Sequence, residues 1–214
     1  MEIPEGQLTQ VVCLNNISWQ TYIAMLNDMD SSRATRVAYS QGAMTIKMPS
    51  KLHEIVNRLL AFIVRTLAVE LDLPCVDVGS MTLQRDDLEK GAEPDTGFYI
   101  QNAEPLRGLE PNIPVDLPPD LVIEVDITNP STRRMVIYKA LGVPEVWQYT
   151  KRNNVTIYHL LEDGYVKAVV SKAFSPLTSA QLNRFVAERQ AQDDRQLTRS
   201  IRTWVQSSTN QSSD

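Results

Sequence analysis

The residues of this chain with the most capacity for chemistry are carboxylates. Within "PPDLVIEVDI" at 118–127, an extended backbone puts Leu121, Ile123, Val125 and Ile127 on one face and Asp120, Val122, Glu124 and Asp126 on the other. The first face is ordinary apolar strand surface. On the second, carboxylates two residues apart sit about 7 Å from each other and repel by about 0.6 kcal/mol in water, and roughly four times that near a protein surface. Two further acids stand out: Asp95 in "EPDTGFYI", which shares parity with Glu93, and Glu54 in the first turn of a helical segment that begins after Ser50. A hard cation such as Mg²⁺ takes few protein carboxylates and keeps several waters, which phosphate oxygens of a substrate can replace. Three acids from separate elements, converging beside a charged side chain, would serve metal-assisted hydrolysis of a phosphodiester.

Each acid also has a plainer use. Glu54 in a first helical turn gains from the helix dipole, Asp95 after Pro94 suits a turn, and Glu124 and Asp126 could line the solvated face of an antiparallel strand. Asp120, directly after two prolines, reads as the residue that opens its strand.

Other chemistries drop out. "HEIVN" begins like the zinc motif HExxH, but the second ligand position is Asn57 and His159 is the only other histidine. No GxSxG elbow, Walker loop or glycine-rich dinucleotide turn is present, with eight glycines in all. Cys13 and Cys75 lack CxxC spacing and are too few for a disulfide framework, so they read as small buried hydrophobes in a reducing cytoplasm. The longest aliphatic block, "LLAFIV" at 59–64, is closed by Arg58 and Arg65, which argues against a membrane span.

Charge is unevenly spread. The formal total is −5, yet Asp86 to Asp126 holds 11 acids against Lys90 and Arg107, a net of −9, which leaves +4 on the rest. A concentration of acid inside apolar strand sequence is either a solvated loop or a place where cations sit. Basic residues outside it, Arg33, Arg36, Lys47, Lys51, Lys151 and Arg152, could track phosphates.

The elements that must position these acids follow from periodicity and punctuation. "SWQTYIAMLND" reads as a short helix and "RVAYSQGAMTIKMP" as two strands joined at a Ser-Gln-Gly turn. Ser50 can cap "KLHEIVNRLLAFIVRTLAVELDL", with Ile55, Val56, Leu59, Leu60, Ile63 and Leu67 on one face and Glu54, Asn57, Arg58, Ala61 and Arg65 along another. Strands follow in "CVDVGSMTLQ", "EPDTGFYIQ" and the acidic strand, then a helix in "NPSTRRMVIYKALG" with Pro130 in its first turn and Gly142 as its C-cap. Two or three more strands turn at Asn153-Asn154 and Asp163-Gly164. The expected architecture is α/β, a mixed sheet flanked by helices. Its divisions are a main domain at 1–178, a charged C-terminal helix at 179–205 that projects from it, and a disordered tail at 206–214.

The successive blocks "HEIVNRLL", "GSMTLQRDD…GAEPDTGFYIQN", "PPDLVIEVDIT" and "YKALGVPEVWQY" resemble the Uma-two family, a group assigned as restriction endonucleases within the PD-(D/E)XK nuclease superfamily. The resemblance spans about residues 15–205 in the family's order and spacing. It implies a restriction-endonuclease-like core in which a central mixed sheet presents a Mg²⁺ or Mn²⁺ site at the bend of two strands. Asp95 and Glu124 would bind the metal with the carbonyl of Val125, and Glu54 would bind it directly or through water. One position departs from the pattern. Asp126 stands where the strand lysine is expected, and relatives that carry the lysine on the following helix place it at the position of Arg134. Lysine can orient or deprotonate the attacking water, whereas arginine offers only donors and positive potential. Lys139 lies five residues on, about 140° around the helix, and so faces elsewhere.

The sequence thus points to a metal-dependent DNA endonuclease in which Glu54, Asp95, Glu124 and Arg134 form the centre, with a two-fold dimer as the arrangement that would cut both strands in one encounter. The rival is a nuclease fold that has lost turnover and binds nucleic acid or protein.

Overall fold

A computed structural model describes residues 9–29, 34–106, 108, 110–127, 132–152 and 154–210. Arg33, Pro130 and Asn153 lie outside the described residues. The chain order is β1 (Gln10–Leu14), α1 (Trp19–Asp28), β2 (Arg36–Ser40), β3 (Ala43–Met48), α2 (Lys51–Glu70), β4 (Val76–Gly79), β5 (Leu83–Arg85), β6 (Lys90–Ala92), β7 (Thr96–Tyr99) and β8 (Leu121–Asp126). It continues with α3 (Thr132–Leu141), β9 (Glu145–Thr150), β10 (Asn154–Leu161), β11 (Gly164–Ala168), α4 (Ser179–Glu188) and α5 (Asp194–Asn210).

These strands form two sheets, not one. The first is antiparallel, in the order β1-β3-β2-β6-β5, and the second is mixed, in the order β11-β10-β9-β8-β7-β4, with β8 and β9 parallel. The parallel pair is joined through α3, as a crossover connection requires. The sheets meet where β6 ends and β7 begins, so Glu93, Pro94 and Asp95 are the three residues over which the chain passes from one sheet to the other. This seam is the feature that positions the site.

Local chemistry sets the elements as the residue types suggest. Ser18 and Ser50 cap their helices, accepting from the Thr21 and His53 amides at 3.1 and 3.3 Å. Gln41 and Gly42 take positive φ in the turn between β2 and β3, and Gly142 (φ +79) ends α3. Helix α2 rolls differently from the reading of its apolar stripe: Ile55 is 54% exposed, while Asn57 and Ala61 are buried with Val56, Leu60, Ile63, Val64 and Leu67. The first turns of α2 face the polar seam, so His53 and Asn57 take the inward positions there and the core face begins one turn later.

The main core lies between the odd-numbered face of β8 and the helices α2, α4 and α5. A second cluster joins Val122 and Val146 of the mixed sheet to Ile137, Tyr138 and Leu141 of α3 and to Ala38, Leu83 and Ala92 of the first sheet. Both faces of β8 are therefore covered, and all six of its residues are buried. The solvated-face reading of Glu124 and Asp126 does not hold.

The C-terminal region also differs from expectation. It is two helices rather than one, and they do not project: Leu182, Phe185, Leu197, Ile201 and Val205 belong to the main core, and Arg202 forks onto Glu70 at 2.9–3.1 Å. Apolar residues at 197, 201 and 205 make a narrow stripe that charge at the other positions conceals in the sequence. Helix α5 runs through residues 206–210, assigned above to the tail, and residues 211–214 lie outside the described set. Cys13 is exposed on the edge strand β1 and Cys75 is half-buried, so neither is the fully buried hydrophobe expected. Among the described residues no helix is long and apolar enough to cross a membrane.

Replacing Ile201 by alanine should lower stability by about 2–5 kcal/mol, read from urea denaturation; a change near zero would show that α5 is not part of the core.

Candidate active site

Four elements and the seam deliver polar side chains to one buried point. Asp95, at the end of the crossover, is 2% exposed and Glu124, in the middle of β8, is fully buried. Asp95 Oδ2 accepts from the Val125 amide at 2.7 Å, from Lys47 Nζ at 2.9 Å and from His53 Nε2 at 2.9 Å. A carboxylate can only accept, so His53 carries its proton on Nε2 in this contact. Asn57, one turn along α2, donates to the Asp95 carbonyl at 3.1 Å and accepts from Thr96 at 2.9 Å. The bend is held by hydrogen bonds at Glu93 and Asp95, the residues on either side of Pro94. Glu93 completes it on the side of the first sheet, accepting from the Val37 amide at 2.8 Å and from the Thr82 hydroxyl at 2.9 Å.

Glu124 is held from the other side. Its Oε1 accepts from Arg134 Nη1 at 3.2 Å and makes a short hydrogen bond with the Tyr138 hydroxyl. Arg134 and Tyr138 are four apart on α3 and so share one helix face. Arg134 Nη1 also donates to the Glu93 carbonyl at 2.8 Å, which links α3 to the seam, while Nη2 is buried with no hydrogen-bond partner.

Lys47 closes the arrangement. It is 5% exposed, near the end of β3 in the first sheet, and its ammonium lies 2.9 Å from Asp95 Oδ2, 3.0 Å from the Val125 carbonyl and 3.6 Å from Glu124 Oε2. The sequence reading counted Lys47 among surface bases that could follow phosphates; the structure puts it in the centre. Arg36 is half-buried, with Nη1 on the Ala34 and Thr35 carbonyls, and Lys51, Lys151 and Arg152 are exposed.

Of the residues singled out in the sequence, Asp95, Glu124, Val125 and Arg134 are brought together. Glu54 stands apart: its partly exposed carboxylate is 3.7 Å from His53 Nδ1, with the imidazole between it and Asp95. Asp126 accepts from Gln148 at 2.8 Å, and Asp120 caps the amides of Ile100 and Asn102 at 2.7 and 3.0 Å. Lys139 is exposed on α3. Lys47 and His53 were missed. The only signal for His53 was the discarded "HE" pair.

The electrostatics follow from burial. Desolvation would raise the pKa of Asp95, but Lys47, His53 and Arg134 outweigh it and hold the carboxyl far below the ordinary range. For Arg134 desolvation works against the charge, yet Glu124, Tyr138 and Asp95 keep the guanidinium firmly protonated. Burial, then the neighbouring Glu124 carboxylate, push the Tyr138 hydroxyl well above its usual value. It therefore stays a donor.

The fit of the site to a hard cation can be judged from what it already binds. Two carboxylates and a main-chain carbonyl close on one ammonium, and Asp95 Oδ1 is buried without a hydrogen-bond partner. One or two carboxylates with room for water and phosphate is the small oxygen set that Mg²⁺ accepts. Among the described residues no three His, Cys, Asp or Glu side chains gather as a metal cage. The oxygens that an ion in this position would meet are those of Asp95, Glu124 and the Val125 carbonyl.

With this geometry in place, comparison with known proteins is informative. The family model described as "Uma2: Putative restriction endonuclease" matches residues 19–207. The chain belongs to the Uma2 family. Among solved structures, a chain described as a "putative nuclease belonging to DUF820" from Anabaena variabilis superimposes with a TM-score of 0.51 at 14% identity, covering 88% of this chain and 99% of that one. At that identity the match speaks for the fold. A search of the curated proteins found no match. The Uma2 match agrees with the likeness read from the sequence blocks, and the architecture is the mixed α/β type expected, with a second sheet added.

The depressed Asp95 pKa has a definite sign for stability. A carboxylate that titrates lower in the folded state contributes stability that is present above about pH 4 and is lost as pH falls through and below the ordinary carboxylate range. The urea midpoint of the wild type should therefore decline between pH 6 and pH 2.5 more steeply than that of Asp95→Asn. Parallel slopes would contradict the assignment.

Proposed function

We propose that this chain is a metal-dependent DNA endonuclease that hydrolyses phosphodiester bonds. The observation that carries the reading is the convergence of Asp95, Glu124 and the Val125 carbonyl on a single cation at the seam of a Uma2-family fold. The family description and the fold neighbour supply the reaction class. Mg²⁺ or Mn²⁺ held by these oxygens would supply positive charge to the phosphate and lower the pKa of water beside it.

The chain's own residues divide the remaining work. Asp95 and Glu124 would bind the ion; cationic neighbours hold the Asp95 carboxyl far below the ordinary range, and Glu124 is oriented through Oε1 with Oε2 turned to the centre. Tyr138 and Arg134 fix Glu124 from the α3 side. Arg134 is the donor for the transition state: its unpartnered Nη2 offers a buried N–H pair to a phosphoryl oxygen as negative charge builds there. His53 fixes Asp95, and Glu54, 3.7 Å from the far nitrogen of that imidazole, acts on the centre only through the charge it places behind His53. DNA is the substrate class, and a dimer would present two such centres to a duplex.

A second reading has its own support. The family resemblance implies a lysine at the position of Arg134, and here a lysine from another strand lies at the cation position. A nuclease fold used for binding nucleic acid or protein, without turnover, would look the same.

Incubation with supercoiled plasmid and Mg²⁺ or Mn²⁺ separates the two. The endonuclease nicks or linearises the plasmid, and Glu124→Ala lowers the rate by about a hundredfold or more, as loss of a direct ligand should. No cleavage by the wild type, with cleavage appearing in Arg134→Lys, establishes the binding module instead.

A further inference from the structure

The position of Lys47 has a consequence that depends on the reading of Asp95 and Glu124 as metal ligands. We propose that Lys47 is a built-in competitor for the metal: its ammonium occupies the cation position of the centre in the metal-free protein, and a divalent ion binds only by displacing it.

Three observations support this. The first is location. The three oxygens that would face the ion, Asp95 Oδ2, Glu124 Oε2 and the Val125 carbonyl, are the same three that surround Nζ at 2.9, 3.6 and 3.0 Å. An ion bound to them and an ammonium this close to them would overlap.

The second is charge. Asp95 and Glu124 are buried carboxylates, and the cations set against them are Lys47 and Arg134. A dication that entered while Lys47 stayed would place ion and ammonium, two like charges, against the same oxygens in a space where every charged side chain is more than nine-tenths buried. If Lys47 leaves, the ion takes over its contacts with the two carboxylates.

The third is mechanical. Lys47 reaches the centre from β3 of the first sheet, whereas Glu124 and Val125 belong to the mixed sheet, and its contacts in the centre are made by the ammonium at the end of a flexible four-carbon stem. Rotation about the stem withdraws the charge without moving either sheet. The other cation, Arg134, has no such freedom, since its Nη1 is tied to the Glu93 carbonyl as well as to Glu124.

The proposal predicts that removing the lysine charge improves metal binding. Mn²⁺ affinity, followed by the electron paramagnetic resonance signal of the free ion, should be about tenfold or more tighter for Lys47→Met than for the wild type. Equal or weaker binding by Lys47→Met overturns the proposal while leaving the metal site itself intact; loss of plasmid cleavage in that case would mark Lys47 as a residue of the reaction instead. Absence of Mn²⁺ binding in both proteins removes the metal reading of Asp95 and Glu124, and this proposal with it. Should Lys47→Met not fold, the wild type labelled with ¹⁵N-lysine answers the question. The Lys47 ammonium resonance, protected from exchange in metal-free protein, should lose that protection as Mg²⁺ saturates the site, and persistence of the protected signal at saturation overturns the proposal.

Discussion

Two carboxylates buried at the junction of two sheets are the constraint around which this molecule is arranged. Neither Asp95 nor Glu124 can be ionised in a dry interior without cations and donors at hydrogen-bond range. The structure meets that need from every side: Lys47 from the first sheet, His53 from the start of α2, the Val125 amide from β8, and Arg134 and Tyr138 from α3. Each of these elements is otherwise anchored in apolar packing, so the polar centre and the cores constrain one another. Helix α2 shows the division along its length, with His53 and Asn57 directed to the seam and Leu60, Ile63 and Leu67 to the main core.

The opening puzzle of three acids on one strand face has a different answer for each acid. Asp120 is a cap for the loop after β7, Asp126 binds Gln148 of the neighbouring parallel strand, and only Glu124 enters the charged centre. Their mutual repulsion is small beside the local partner each has found. Parity alone treats the three alike; what separates them is which element lies opposite, and that is decided by the crossover through α3.

This marks the limit of what was legible in the sequence. The strand parity of β8, the Ser50 cap, the Gly142 cap and the Glu-Pro-Asp turn could be read directly because they are local. Arg134 became readable through the family blocks, which carry long-range placement that no single segment contains. Lys47 could not be read, because "MTIKMP" gives an ordinary strand with one charged residue, and nothing in it says that the lysine crosses to another sheet. His53 was set aside with the zinc motif it failed to complete, although its role as a carboxylate partner needs no metal. The docking of α5 was hidden by a stripe of only three core residues on a helix otherwise polar, and the separate antiparallel sheet by strands of three residues, β5 and β6, too short to carry a period.

Arg134 on α3, where the family resemblance leads one to expect a lysine, is best understood with Lys47 in view. A planar guanidinium can bridge the Glu93 carbonyl and Glu124 at once, and so ties the seam to α3 in a way that a single ammonium could not. That tie takes Glu124 Oε1, together with Tyr138, and leaves Oε2 toward Lys47. On the other carboxylate Oδ2 carries the structural contacts and Oδ1 has none. Glu124 is thus secured through Oε1 and turns Oε2 to the cation position, whereas Asp95 presents Oδ2 both to its structural partners and to the Lys47 ammonium. A lysine at 134 would add a mobile charge but loosen Glu124; an arginine there holds the ligand in place and leaves mobility to the residue on β3. In this arrangement the fixed cation and the displaceable cation are different side chains, delivered by different elements.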